Sequence, residues 1–515
     1  MKFSVIVLAL LCMVVSVSSA DVRISEPGLI SGSQLSAFYG TPVSDLHLFA
    51  FVGGFWYELP VQIDERASNG SFFDADDGLL DSNDEVLFQP QDFGALAPTS
   101  AWIDDLDSQN YPRLKLAVAD PVLGSSAIGY LFRSSTLPDN PDTYITYDAG
   151  ADEVMTDTYM VGFDNSRWFW DELRLFDGNV YGDDLLDREK TRIKGTILWT
   201  NWTRNEQDFS PIYKRYISGP VRVIRETRYS IEVLGITSES TATKHYYDSF
   251  MVTPEDVATI DPLAGINMVR LSYDLTPAAV GSVESNLNNA SLLADGVPDG
   301  ANTNIPASEM SHFWIKINLN GSSLVSVGDQ YGMSNDNVLY HHDDSSGGSA
   351  DGTSDTGDGS SYGDIGIRMN NPNTGSHTTS ASMYLALGTD LPGLDCQSWF
   401  DAGFNYQVAS EDFDNTSAVD TPMIIASNLR NIPNPFNPRT EILFQLSDNC
   451  NVELTIYDAA GRMVNVLYSG NLASGQQSFT WNGNDQLGQA VSSGTYFARL
   501  HGHNIDLVKS MSLVR

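Results

Sequence analysis

Apolar and polar residues alternate with period two along much of this chain. Ile442, Phe444 and Leu446 are spaced by polar residues, and so are Val452, Leu454 and Ile456. Such alternation is the mark of strands with one buried face. Phe49–Val52 and Trp56–Ile63 read as strands around a Gly53-Gly54 turn. Further strands are expected at Arg192–Trp199, Val221–Leu234, Phe313–Leu319 and Ser382–Leu387. Beyond the first twenty residues no long 3.6-residue period is found. The pattern predicts an all-β protein built as several β-sandwiches.

Breaks in the pattern divide the chain. Residues 1–20 combine Lys2, the apolar run Val5–Val15 and the small residues Ser18-Ser19-Ala20, which together read as a secretory signal peptide. The run is too short for a membrane-spanning helix, and no other stretch of that kind follows, so no membrane span is expected. An N-terminal β domain is assigned to 21–137, a central region to 143–425 and a C-terminal domain to 431–515. Within the central region, 343–363 is rich in Ser, Gly, Asp and Thr and nearly free of apolar residues. It reads as a disordered, solvated loop.

Charge changes the picture of partners. The chain has 66 acidic and 28 basic residues, a formal net charge of −38, which excludes nucleic acid as a natural partner. Cysteine does not carry the fold: outside the signal only Cys396 and Cys450 remain, as one disulfide or as two thiols.

The tail carries a recognisable series of motifs. Asn434–Pro438 reads Asn-Pro-Phe-Asn-Pro. Tyr457-Asp458-Ala459-Ala460-Gly461-Arg462 has hairpin-turn chemistry, Trp481–Gly488 follows, and Ser493–Tyr496 reads Ser-Gly-Thr-Tyr. In this order they resemble the C-terminal sorting domains of proteins exported by type IX-like secretion in diderm bacteria. The resemblance is to the variant built like the immunoglobulin-type domain of flagellar hook-capping proteins. It covers about 85 residues and implies a C-terminal immunoglobulin-like domain. It also implies outer-membrane secretion machinery as a partner, and a place outside the cell or on its surface. The alternative is an accessory immunoglobulin-like module with no sorting role.

Two local clusters carry candidate chemistry. Asp74, Asp76, Asp77, Asp81, Asn83 and Glu85 fall in one short turn with Gly78 at its bend. Calcium takes six to eight oxygen ligands, so this turn is a candidate calcium site, against the alternative of a solvated acidic turn. Second, ten cations against four acids lie between Arg188 and Arg228, inverting the sign of the chain. Lys214, Arg222 and Arg225, with Trp168, Trp170 and Trp202 nearby, would suit an acidic polysaccharide: guanidinium forks hold carboxylates and indole rings stack on sugars. The alternative is that these cations serve the chain's own acid excess and the aromatics fill the core.

Gly219–Ile224 and the strands after it resemble the supersandwich folds of mutarotase-like and polysaccharide-lyase proteins over some forty residues. That resemblance implies Tyr213 or Tyr216 as a base, with Arg222 or Lys214 neutralising a uronate. Gly359–Gly363 matches a nucleophile-elbow string but lacks the strand and helix that the elbow needs. The expectation is therefore a secreted or surface β protein that binds carbohydrate or serves a structural role. A polysaccharide lyase or glycoside hydrolase is the alternative.

Overall fold

In a computed structural model of the chain, the alternating segments form strands that pair into antiparallel sheets. The structure describes residues 26–513, apart from 75–76, 177–179, 261–264, 299–302, 307–309, 320, 331–333, 348–354, 388–390, 415–425, 433, 435, 447–448, 459–461 and 503–504. The signal sequence, Asp76 and the terminal residues 514–515 lie outside this set. Among the described residues there is one α-helix, Gly393–Ala402, and no helix is long and apolar enough to cross a membrane.

The N-terminal unit stacks a three-stranded sheet (Gly28–Ser31, Glu85–Phe88, Gln62–Asp64) on a five-stranded one. Ile30, Val86 and Phe88 meet Leu48, Leu116 and Leu131 in their shared core. The edge of the larger sheet is not local. Asn405–Glu411, expected in the central region, returns to pair with Arg113–Asp120. Its Glu411 reaches the buried guanidinium of Arg113 (Nη2–Oε2 2.8 Å), whose planar face lies 4.5 Å from the centre of the Tyr130 ring. A buried cation with an open edge strand beside it recruits that distant strand and its carboxylate.

The centre is a pair of large sheets facing each other. The six-stranded sheet runs Thr200–Asn205, Leu186–Ile197, Ile266–Leu275, Ser361–Asn370, Asp336–Asp344, Thr303–Ile305. The nine-stranded sheet begins with Phe209–Ser218, Val223–Val233 and Ile236–Tyr246 and reaches Ser311–Leu319 through Gly375–Ala386. Ile365, Ile367 and Met369 from one side and Phe313, Ile315 and Ile317 from the other belong to one core. A four-stranded sheet, Ile145–Asp148 to Trp170–Leu175, extends that core through Val161 and Trp170.

The segment 343–363 departs from the expected solvated loop. Its ends belong to strands, and Asp343, buried, accepts backbone amides from Asp295, Gly296 and Gly363 at 2.8–2.9 Å. Thr356 is also buried and receives Nη2 of Arg192 at 2.7 Å. Hydrogen bonds, not apolar burial, order this stretch where it is described, which composition does not reveal.

The hairpin Leu186–Ile197/Thr200–Asn205 turns on Leu198 and Trp199, with φ 48° and 67°. A two-residue turn of this kind needs left-handed backbone at both positions, which suits Asn-Gly and strains Leu-Trp. Both side chains stand in solvent, Trp199 at 94% exposure. Leu198→Asn with Trp199→Gly is expected to stabilise the fold by about 1–2 kcal/mol, read as a rise of a few degrees in melting temperature by calorimetry. An unchanged or lower melting point would show that the turn carries no strain.

The C-terminal domain sandwiches Ala426–Ile432, Thr440–Leu446 and Gly475–Trp481 against a sheet of Met463–Leu472, Cys450–Asp458, Gly494–Gly502 and Ile505–Leu513. The alternating apolar residues of Thr440–Leu446 and Cys450–Asp458 meet in its core. Phe55 and Tyr57, on the edge strand of the N-terminal unit, pack onto that core. Both cysteines are thiols. Cys396 is buried in the helix, and burial pushes its pKa up to about 12.

Candidate functional site

The basic strip is resolved by its partners. At least eight of its ten cations form ion pairs with the chain's own carboxylates. Three of the most enclosed, Lys190, Arg192 and Arg222, have no solvent-exposed surface. Lys190 meets Asp274 and Asp355, and Arg192 meets Glu206. Desolvation raises the pKa of the Asp274 carboxyl, with the nearby Asp364 charge adding to it and Lys190 opposing.

Arg222 joins two units. Its Nε donates to Asp64 Oδ2 at 2.8 Å, a second contact reaches the same carboxylate, and Glu85 Oε2 lies at 2.8 Å. Its backbone amide donates to Gln62 Oε1 at 2.7 Å. Gln62, Asp64 and Glu85 belong to the three-stranded sheet of the N-terminal unit, whereas Val223–Val233 begins the second strand of the nine-stranded sheet. Gly219 makes this approach possible: a Cβ there would fall 2.3 Å from the Gln62 side chain. The Gly219–Ile224 motif thus builds an interdomain clasp.

Arg225 and Lys214 converge on one carboxylate. Arg225 grips Asp152 in bidentate fashion (3.2 and 2.9 Å), Lys214 Nζ reaches it at 2.7 Å, and Tyr147 donates to it at 2.5 Å. Burial would raise the Asp152 pKa, but these donors, Arg225 foremost, hold it below the ordinary carboxylate range. The side chain of Arg225 also covers the Phe163 ring, 3.6 Å from its centre. Of the tryptophans, Trp170 is buried and donates to Tyr246 Oη at 3.0 Å, and Trp202 is buried against Gly195. Trp168 is partly exposed, with left-handed backbone (φ 65°) held by Arg225 on its carbonyl.

The tyrosine–cation set implied by the lyase resemblance is not assembled. Tyr213 donates to Glu226 at 2.9 Å, Tyr216 packs on Tyr147, and Arg222 and Lys214 are committed as above.

In the acidic turn the described candidate ligands are engaged by the chain itself, and Asp76 lies outside the described residues. Asp74 accepts from the Asn69 side chain, Asp77 from the Leu79 amide and Asp81 from the Asn83 amide, at 2.8–2.9 Å. The Asn83 amide group donates to the Arg66 carbonyl, and Glu85 faces Arg66 and Arg222. Among the described residues no three or more His, Cys, Asp or Glu side chains are placed to hold a metal ion. The described oxygens tie the turn to itself and to two arginines.

What the structure does build here is a cleft between sheets. Lys244, on Ile236–Tyr246, spans to Glu189 of the six-stranded sheet (2.8 Å) and lies 4.7 Å above the Trp170 ring. On one side, Trp168, Phe169, Tyr229 and Arg225 line a recess of about 50 Å³. On the other, Lys244 borders an apolar cavity of about 320 Å³ between the two large sheets. Sequence reasoning found Trp168, Trp170 and Arg225 but missed Lys244 and Glu189, which lie 55 residues apart and meet only when the sheets face each other.

The described residues of the tail motifs pack within the C-terminal domain, whereas Pro435 and 459–461 lie outside the described residues. Phe436 is buried beside Trp481 (5.4 Å between ring centres) and its amide donates to Ser512. Trp481 Nε1 donates to the Asn484 carbonyl, Asp485 accepts the amides of Leu487 and Gln489, and Tyr496 donates to Ser492. Residues 436–504 match the family model of the FlgD Ig-like domain. No curated protein matches the chain. Solved structures with some likeness include an alpha-mannosidase from Enterococcus faecalis V583, 8% identical with a TM-score of 0.40. The match covers 89% of this chain and 54% of that one. Dimeric latent PorU from Porphyromonas gingivalis (12% identity, TM-score 0.17) is matched over 84% of this chain and 36% of its own. PorZ, a surface component of the type-IX secretion system of the same organism, is 12% identical with a TM-score of 0.14, over 76% and 63%. The chain spans about half the length of the mannosidase, and at these scores none of the three supports an inference about fold or function.

Proposed function

We propose that this chain is an exported structural protein of a diderm cell surface. Its C-terminal immunoglobulin-like domain is the address, and its N-terminal and central sheets form the displayed body. The observation that carries this reading is the C-terminal domain. An ordered series of motifs and a family match fall on one sandwich with its own core. The body suits a structural role, because its cations are tied internally instead of facing a groove. An acidic polysaccharide would have to displace Asp64, Glu85 and Asp152 from buried partners. The recess beside Trp168, about 50 Å³, falls well below the roughly 300 Å³ at which ligand pockets begin. Glycan binding and glycan cleavage are therefore the weaker readings.

The test is export in a host with type IX secretion. Full-length protein is expected at the cell surface or in the medium, and protein truncated before Ala426 in the periplasm. A reporter fused to 426–515 should follow the full-length chain. Equal surface delivery of the truncated protein, or retention of the full-length chain, would overturn the proposal.

A further inference from the structure

The cavity between the two large sheets is a second site, independent of the export reading. Sandwich interiors are normally filled to crystal-like density. Here the inner face of the nine-stranded sheet turns small. Thr253, Ala381 and Gly328 form one cross-strand row, and Ser326 opposes Met383 in the next. Large residues in those rows would close the gap. Instead about 320 Å³ stays open, walled by Ile365, Ile367 and Met369 on one side and Phe313, Ile315 and Ile317 on the other. That is about twice the roughly 150 Å³ of an engineered apolar cavity that stays dry and takes up benzene. It also falls in the range of ligand pockets, about 300–1,000 Å³.

One end of the cavity is charged. Lys244 and Glu189, each about one-fifth exposed, bridge the sheets at its border, and Leu271 beside them is 46% exposed. An ammonium has three donors, of which Glu189 takes one. Lys190 also lines the cavity but is held by Asp274 and Asp355, so a slot with mostly aliphatic walls and Lys244 at its exposed border matches a hydrocarbon chain ending in an anion. Taking a methylene to occupy about as much space as a water, roughly 30 Å³, the cavity holds a chain of about ten carbons. We infer that this cavity binds a single-chain anionic amphiphile of the fatty-acid class, its carboxylate at Lys244 and its tail between the sheets.

The test uses the full mature chain stripped of lipid, with cis-parinaric acid as fluorescent probe and decanoate and decanol as competitors. Saturable probe binding displaced by decanoate is expected, and solvent extraction of unstripped protein should release a chain amphiphile detectable by mass spectrometry. Ala381→Phe and Ser326→Phe each fill the slot from its small-residue wall. Each should weaken probe binding tenfold or more while the melting temperature holds or rises. Two filling variants are used so that one unfolding leaves the other to decide. Lys244→Met should erase the preference for decanoate over decanol. No probe binding and no extractable amphiphile would overturn the proposal, as would full binding in both folded filling variants. An unchanged decanoate preference in the Lys244 variant would overturn the placement of the head group.

Discussion

Arg222→Met is expected to destabilise the N-terminal unit by about 3–5 kcal/mol, the range for removing one partner of a buried ion pair. Arg222 is fully buried, and without it the buried Asp64 loses its cation, while the partly exposed Glu85 keeps Arg66. Asp64 would retain only the Gln62 side-chain donor at 2.7 Å among the contacts made here. Methionine fills much of the volume, so the loss is electrostatic more than steric. In a protein of several domains this reads as an early transition separating from the main one, so calorimetry with more than one structural probe is the right measurement. Arg222→Lys restores the charge but not the fork that spans two carboxylates, and should recover only part of the loss. Adding Asp64→Asn and Glu85→Gln to the methionine variant removes the stranded charges and should recover more of it. If Arg222→Met melts as the native protein does, the clasp does not hold the two units together.

That clasp also marks where the sequence stopped being informative. Strand positions were legible because alternation is local: Phe313–Leu319 lies inside Ser311–Leu319, and Val221–Leu234 brackets Val223–Val233. The C-terminal sandwich was legible because its apolar alternation and turn residues lie within one short segment. Sheet order was not. Nothing near Asn405–Glu411 says that it completes a sheet begun at Leu46, because edge pairing is decided by which backbone is left open. The charge inversion of 188–228 was visible, but its meaning was not. Arg222 finds Asp64 158 residues away, and Lys190 finds Asp274 84 residues away. A cation-rich strand with distant acids reads the same as a binding strip until the fold brings the acids in. The 343–363 segment failed in the opposite sense. Its composition argues against a core, yet Asp343 and Thr356 order the described parts through hydrogen bonds to backbone and to Arg192. The apolar cavity left only a faint trace in sequence, a few small residues on strands otherwise rich in large ones.

Asp248→Asn is expected to leave stability unchanged near pH 4 and to raise it by about 2 kcal/mol at pH 8. Burial pushes the Asp248 carboxyl up to about 7, the charges of Asp157 and Asp92 push the same way, and the Thr158 hydroxyl only partly opposes them. In the unfolded chain an aspartate titrates near 3.9. Between these values the folded state binds the extra proton, so stability falls as pH rises through that window and levels off above about 7. A shift of this size corresponds to at most about 4 kcal/mol, and a carboxyl that keeps some contact with solvent realises less, hence the smaller figure. His245 acts in the reverse sense. Burial, with help from Arg222, lowers its pKa to about 3, so acidification below about 6.5 favours the unfolded state, which takes up that proton. The two slopes offset each other between about pH 4 and 6.5, which would mask Asp248 in the native protein alone. The difference between native and Asp248→Asn melting temperatures, measured across pH 4 to 8, cancels the His245 contribution and isolates the carboxyl. The difference should open as pH rises toward 7 and hold its full size above it. A difference constant across the range would mean that Asp248 titrates as an ordinary aspartate, and that the acid cluster at Asp92, Asp157 and Asp248 places no demand on the fold.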